Sequence, residues 1–262
     1  MTLARFVLAA GLIAVAAPAA AQDLCADRPG KATPSCVVDP GAVQVETSVI
    51  DWSRSDDGAT RDDDLLFGDT LVRWGVADAI ELRGAFTTYE HDRMRGPGGV
   101  TIARGFGDFG LSAKWRAVDG GDKGVSIALL PSVTLPVGDK AVSQGTWSAD
   151  LTVPIDVPLA DKWSLDLSPT LSAAADEDGN GRHFAYAGAA SLGYAISDAV
   201  SLSGELWAQR DNDPAGHTTQ ASADLLLAWQ PAKDWQLDLS GYAGLTQATP
   251  DMELIAGVTR RF

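Results

Sequence analysis

Only two cysteines, Cys25 and Cys36, stand in the 262 residues, too few for a disulfide-dense scaffold or a four-thiolate zinc site. Basic side chains are scarce too. Twenty Lys and Arg against 35 Asp and Glu leave a net charge of −15, and with no basic face to grip a phosphate backbone, nucleic acid is excluded as a partner. Beyond the N-terminus no apolar run approaches the roughly 20 residues that a membrane helix needs, so a helical membrane bundle is excluded. Histidine is limited to His91, His183 and His217, and neither a resident metal nor a cofactor is expected. What the chain does have is apolar content of 45%, too much for a disordered acidic tail, together with 27 Gly and 8 Trp.

Residues 1–21 read as a cleaved secretory signal. Arg5 supplies the positive start, residues 6–17 the apolar stretch, and Ala19-Ala20-Ala21 the small-residue cleavage site. A buried N-terminal helix fits the small-residue end less well. A lipoprotein is disfavoured because Leu24, before Cys25, is not a small residue. Residues 22–40 follow as an expected periplasmic N-terminal segment. Export favours a Cys25–Cys36 disulfide around a Pro- and Gly-containing loop, with two free thiols as the alternative. Either state of the pair is structural.

From residue 41 onward the apolar pattern repeats every second residue. Trp235, Leu237, Leu239, Ala243 and Leu245 share one face, and Gln236, Asp238, Ser240, Tyr242 and Gly244 the other. A helix would wind those apolar side chains around its whole circumference, so the segment is a strand. About twelve such segments occur, near 42–52, 65–75, 79–90, 105–117, 124–136, 148–159, 163–175, 183–196, 199–210, 219–230, 235–247 and 251–262. Their length suits a tilted strand crossing a bilayer. Pro131, Pro154 and Pro158 weaken the fifth and sixth, which leaves ten strands as an alternative count.

The connections alternate in length. Short turns fall at 76–78, 160–162, 197–198 and 231–234, with a slightly longer one at 118–123. Long polar loops fall at 53–64, 91–104, 137–147, 176–182 and 211–218. That asymmetry is the layout of an outer-membrane barrel, with short periplasmic turns and long external loops. The aromatics agree. Trp74, Trp115, Trp163, Tyr194, Trp229, Trp235 and Phe262 fall at the short-turn rim, and Trp52, Phe67, Tyr89, Phe106, Trp147, Phe184 and Trp207 toward the other. Two such girdles match the headgroup levels of a bilayer. The expected fold is therefore all-β: an antiparallel transmembrane β-barrel over residues 41–262, its last strand paired with its first, in the cell outer membrane. The alternating C-terminal strand ending in Phe262 resembles the signal read by the barrel-assembly machinery, an expected partner.

Several stretches carry a family resemblance. They are Cys25-Ala-Asp-Arg-Pro-Gly30 with Cys36, Val43-Gln-Val-Glu46, Asp51-Trp52, Gly68-Asp-Thr-Leu-Val-Arg73, Gly105-Phe-Gly-Asp108, Thr134-Leu-Pro-Val-Gly138, residues 211–220 and Gly257-Val-Thr-Arg-Arg-Phe262. Together they resemble the outer-membrane β-barrel transporter family named for the MetA pathway of phenol degradation. The resemblance covers nearly all of the mature chain. It implies a passive barrel for small-molecule solutes, aromatic or hydrophobic ones among them, and brings no catalytic motif.

Turning the aliphatic face to lipid leaves Glu46, Asp69, Glu81, Asp108, Asp150, Asp156, Asp166, Glu205, Asp224, Asp238 and Glu253 for the interior, with Arg73, Arg83, Lys114, Arg116 and Arg261. Such charges require water or partners. Two readings stay open. In one they line a pore that favours cations and neutral solutes, with Asp69, Arg73, Glu81, Arg83, Asp108, Lys114, Arg116, Glu205, Asp224 and an inward-folding third loop setting selectivity. In the other they pair across strands and fill a narrow barrel that serves a structural or adhesive role. Residues 176–181, Asp-Glu-Asp-Gly-Asn-Gly, match half of an EF-hand loop, but Ala187 stands where the bidentate Glu belongs, so an acidic turn is expected. Asp56, Asp57, Asp62, Asp63 and Asp64 are candidates to bridge divalent ions to lipopolysaccharide at the surface of the outer-membrane lipids. A lipid hydrolase would need His183 or His217 paired with Thr218 or Ser222, and no nucleophile elbow supports one.

Overall fold

The structure, a computed structural model, describes residues 24–262. The signal-peptide assignment over 1–21 lies outside the described residues. Fourteen strand segments form one antiparallel sheet: β1 (Val43–Asp56), β2 (Arg61–Ala77), β3 (Ile80–Gly96), β4 (Gly99–Gly105), β5 (Phe109–Val118), β6 (Ser126–Leu135), β7 (Ser148–Thr152), β8 (Ile155–Ala160), β9 (Trp163–Ala175), β10 (Arg182–Ser197), β11 (Val200–Asp213), β12 (Gly216–Ala232), β13 (Trp235–Gly244) and β14 (Met252–Arg261). β4 and β5 both pair with β3 and make one stave, interrupted at Phe106–Asp108. β7 and β8 make another between β6 and β9, interrupted at Val153-Pro154, where Pro has no N–H to give the ladder. The result is a closed barrel of twelve staves, settling the count that the prolines left open.

Closure is made by the chain ends. β14 runs antiparallel to β1 from Gln44 opposite Arg261 to Arg54 opposite Met252, and Phe262 N donates to Val43 O at 2.8 Å. With no free edge, the ladder closes on itself around the wall, as hydrocarbon demands. Alternation then sorts the side chains. Leu206, Leu225 and Leu239 point outward and are more than half exposed, while their neighbours Glu205, Asp224 and Asp238 point inward and are buried. Trp74, Trp115, Trp163, Trp229, Trp235 and Phe262 are exposed at the short-turn rim, and Phe67, Tyr89, Phe106, Trp147 and Phe184 toward the other. Trp207 departs from the expected girdle. Two residues beyond Glu205, it shares that residue's inward face and lies under the Lys31 ammonium.

Two of the expected long loops are largely strand. β1 and β2 continue to Asp56 and Arg61, and β3 and β4 to Gly96 and Gly99, leaving only tight tips. The polar sequence of 53–64 and 91–104 reads as loop because strands above the bilayer stand in water and need no apolar face. β2, at 17 residues, is about 57 Å long, well beyond the ~25 Å apolar band of such barrels even when tilted. On this extension Asp63 is held by Arg54 at 2.8 Å and Arg61 at 3.0 Å, Asp57 caps the tip by accepting Thr60 N and Ala59 N, and Asp62 and Asp64 stand on the face opposite to Asp63.

Candidate functional site

Residues 24–38, part of the segment expected in the periplasm, thread into the half of the barrel nearer the short turns. The Cys25–Cys36 disulfide, with Cα atoms 6.0 Å apart, closes the plug into a compact loop, and both cysteines are joined to it rather than free. An irregular loop inside a barrel leaves backbone N–H groups without a ladder, and each buried one must find an acceptor. Here the inward carboxylates of the wall supply them. Glu46 accepts Asp27 N and Arg28 N, Glu205 accepts Lys31 N at 2.7 Å and Ala32 N at 2.8 Å, Asp156 accepts Ser35 N, and Glu81 accepts Val38 N at 2.7 Å. Ser168 accepts Thr33 N, and the Tyr242 hydroxyl donates to Pro29 O at 2.6 Å. The lumen acids are therefore receptors for the plug's backbone, from staves all around the barrel.

A cationic knot locks one side. Arg73, fully buried, forks onto Glu81 with Nε and Nη2 both 2.9 Å away. Its Nη1 reaches Glu46 at 2.8 Å, Asp27 at 2.9 Å and Cys25 O at 2.6 Å. Lys114, also fully buried, donates to Asp27 at 2.8 Å, Pro34 O at 2.9 Å and Cys36 O at 3.2 Å, and Arg83 pairs with Asp27. Bidentate guanidinium–carboxylate geometry makes such a knot directional as well as strong. Beside the knot, Arg28 spans the barrel seam: it bonds Ser48 on β1 at 2.8 Å and Asp238 on β13 at 2.9 Å. Its guanidinium lies against Gly257 of β14, in the space a Cβ there would fill. Gly75 is a similar close approach, where a Cβ would overlap the carbonyls of Val38 and Asp39.

Burial alone would push the Asp27 carboxyl up, but Arg73, Arg83 and Lys114 around it outweigh that and hold it well below the usual carboxylate range. A depressed carboxyl contributes its stabilisation above its ordinary value near 3.8 and loses it only as pH falls through the lower folded value. The plug is accordingly expected to stay docked from pH 7 down to about pH 4. Protection of Cys25–Cys36 from an added reductant, followed across that range, checks this; release at pH 5 contradicts it.

The remaining candidates fall at different heights. Glu205 and Asp224 are inward and buried, and Asp69 accepts a hydrogen bond from Thr87 at 3.1 Å above the plug. Asp108 accepts Gly138 N and Gln144 N, both at 2.9 Å, pinning the third loop against the wall. Arg116 is different: it stands at the short-turn rim, 3.1 Å from Asp119, because its stave ends two residues later. The plug itself was missed by pattern reading, since it has no periodicity. Its signal was the surplus of inward acids over inward bases. Asp51, Glu90, Asp64 and Asp92 lie above it on β1, β2 and β3, Asp51 and Glu90 both opposite Leu66 and Asp64 opposite Asp92.

Two cavities of about 400 and 390 Å³ meet the plug. One opens among Lys162, Trp163, Ser201 and Gln230 near the short turns; the other lies at mid-height among Asp69, Ala85, Ser112 and Thr134. Asp27, Arg28 and Gly30 line both, so this turn of the plug is the partition between them. His183 faces Asp176 and Asp211 at the long-loop rim, while Ser222 is buried in the wall.

The family model described as "Putative MetA-pathway of phenol degradation" matches residues 26–262. Among solved structures, an outer membrane channel from Pseudomonas putida F1 is similar with a TM-score of 0.69 at 17% identity, over 90% of this chain and 99% of that one. The NanC porin follows with a TM-score of 0.53 at 9% identity, over 83% and 98% of the two chains. The translocator domain of the autotransporter NalP from Neisseria meningitidis reaches 0.52 at 13% identity, over 86% and 90%. At these identities the likeness is one of fold. No curated protein matches the sequence.

Proposed function

The chain belongs to the phenol-degradation MetA-pathway family, and from that premise we propose that it is a passive outer-membrane channel for small neutral or cationic molecules, narrowed by its own N-terminal segment. The observation that carries this reading is the pair of cavities parted by one turn of the plug, Asp27–Gly30, in an otherwise closed transmembrane barrel. The inward acids Asp51, Asp64, Asp69, Glu90 and Asp92 above the partition set a field that concentrates cations and repels anions. The family's description makes phenol and similar small aromatics the solutes to try first, and the lumen offers the rings of Trp207 and Tyr242 beside Lys31. On this reading Arg73, Glu81, Arg83, Lys114, Glu205 and Asp224 act on selectivity by fixing where the plug sits. The short turns face the periplasm, Phe262 presents the terminal strand to the assembly machinery, and the acidic tips face the lipopolysaccharide.

Planar-bilayer recording of the mature protein tests the proposal. Small, cation-selective single-channel steps are expected, together with phenol entry into proteoliposomes. A specific observation, the plug tied by wall carboxylates on several staves, also favours a structural barrel. That second reading predicts no steps and no solute flux while the plug is in place.

A further inference from the structure

We propose that the long-loop rim carries a binding site for a divalent transition-metal ion, built from His183, Asp176 and Asp213 and steadied by Asp211. The donors come from the β9–β10 loop, the first residues of β10 and the last residue of β11, and Asp176, His183 and Asp213 each bring one ligand atom within 4.8 Å of the others. Asp176 Oδ1 lies 2.9 Å and Asp213 Oδ2 3.4 Å from the same imidazole nitrogen, Nδ1. Two ligands each about 2.1 Å from one ion, at octahedral to tetrahedral angles, stand roughly 3.0–3.4 Å apart, so both spacings fit a shared shell, the shorter being also a hydrogen bond between Nδ1 and Asp176.

The imidazole supplies the independent pointer. Its side chain is only 6% exposed, and Nε2 stands 2.7 Å from Asp211 Oδ1, an ion-pair distance. That leaves Nδ1 turned toward Asp176 and Asp213, and a carboxylate behind a metal-bound histidine is how such rings are oriented. Three carboxylates around one imidazole also leave a negative charge that a divalent cation neutralises.

The carboxylates are held in place beforehand. Asp213 accepts Ala215 N at 2.6 Å and Glu177 N at 2.7 Å, and Asp211 accepts Asp213 N at 2.9 Å. Gly181 makes room for Asp176: a Cβ there would overlap its carboxylate. The half EF-hand pattern of 176–181 is not the site, because Asp178 is spent on Asn180 N in its own turn. Only Asp176 is contributed, and its partners lie in strand ends. One imidazole nitrogen among the donors selects an ion such as zinc over calcium or magnesium, which prefer oxygen alone. A bound ion would clasp the β9–β10 loop to the end of β11 beside a cavity of about 390 Å³ lined by Gln144, Asp176, Glu177 and Gln209 at the barrel mouth.

The test uses the full mature protein in detergent, stripped with EDTA and returned to metal-free buffer. Zinc is titrated by calorimetry, and cobalt(II) by its visible absorption. One equivalent of zinc is expected to bind and to displace the cobalt band. H183Q and D213N are each expected to weaken binding by about tenfold or more, and H91A to leave it unchanged. Heat-dependent gel mobility shows that each variant has folded, and D176N replaces any that has not. Absence of a stoichiometric site, equal affinity in folded H183Q, or calcium binding as tight as zinc overturns the proposal. Because the site lies outside the partition, none of these outcomes depends on whether the barrel conducts.

Discussion

Replacing Arg73 by methionine is expected to unseat the plug and lower the stability of the folded barrel by about 3–5 kcal/mol, the usual cost of taking one partner from a buried ion cluster. The side chain is fully buried, and three carboxylates, Asp27, Glu46 and Glu81, depend on it. Methionine fills the volume but leaves those acids facing one another in a confined space. Lys114 and Arg83 still reach Asp27 and, at 3.8 and 3.7 Å, Glu81, so Glu46 bears most of the loss. Water must then enter to solvate it, and the plug, whose Cys25 carbonyl also rests on Arg73, is displaced. Urea-dependent loss of the heat-modifiable gel form measures the stability, and single-channel recording the opening. R73K should recover only part of both, since an ammonium keeps the charge without the fork that engages Glu81 twice. A stable R73M barrel with native conductance would contradict this account of the plug.

Excising residues 24–38 carries the largest expected change in conductance. Twelve strands spaced about 4.8 Å apart and tilted about 40° enclose a backbone cylinder of roughly 12 Å radius. Inward side chains leave an open width of several ångströms once the plug is gone. The two cavities, now parted by Asp27–Gly30, would merge into one water column, and conductance should rise by about an order of magnitude. Cation selectivity should sharpen, because Glu46, Glu81, Asp156 and Glu205 would exchange backbone N–H partners for water, while the plug takes with it two bases, Arg28 and Lys31, against one acid, Asp27. Recording in a salt gradient reads both effects. Unchanged current after excision would mean that the wall side chains alone occlude the barrel.

The wall of the barrel was legible because alternation is a local property: Leu237 and Leu239 differ from Gln236 and Asp238 within a few residues, and lipid on one side enforces the difference. The upper hairpins were not, because above the bilayer Arg54, Asp63 and Asp64 stand in strands with water or ions on both faces and lose the apolar mark. Trp207 was misplaced for a related reason. Its position along the strand suited a girdle, and its parity with Glu205 decided otherwise. The plug could not be read at all from periodicity. Its backbone is tied by side chains 18 to 213 positions away, from Glu46 to Tyr242, and only the three-dimensional closure of the sheet brings these partners together.

The position of Arg28 has a temporal consequence. Its guanidinium rests on the first strand, the penultimate strand and the backbone of the last, and those surfaces become neighbours only when the two ends of the sheet meet. A nascent sheet still open at that junction offers half a socket, so the leading segment cannot settle until the cylinder is complete. Maturation thereby acquires a fixed sequence of events, in which seating of the arginine is the final act and the mark of a finished molecule.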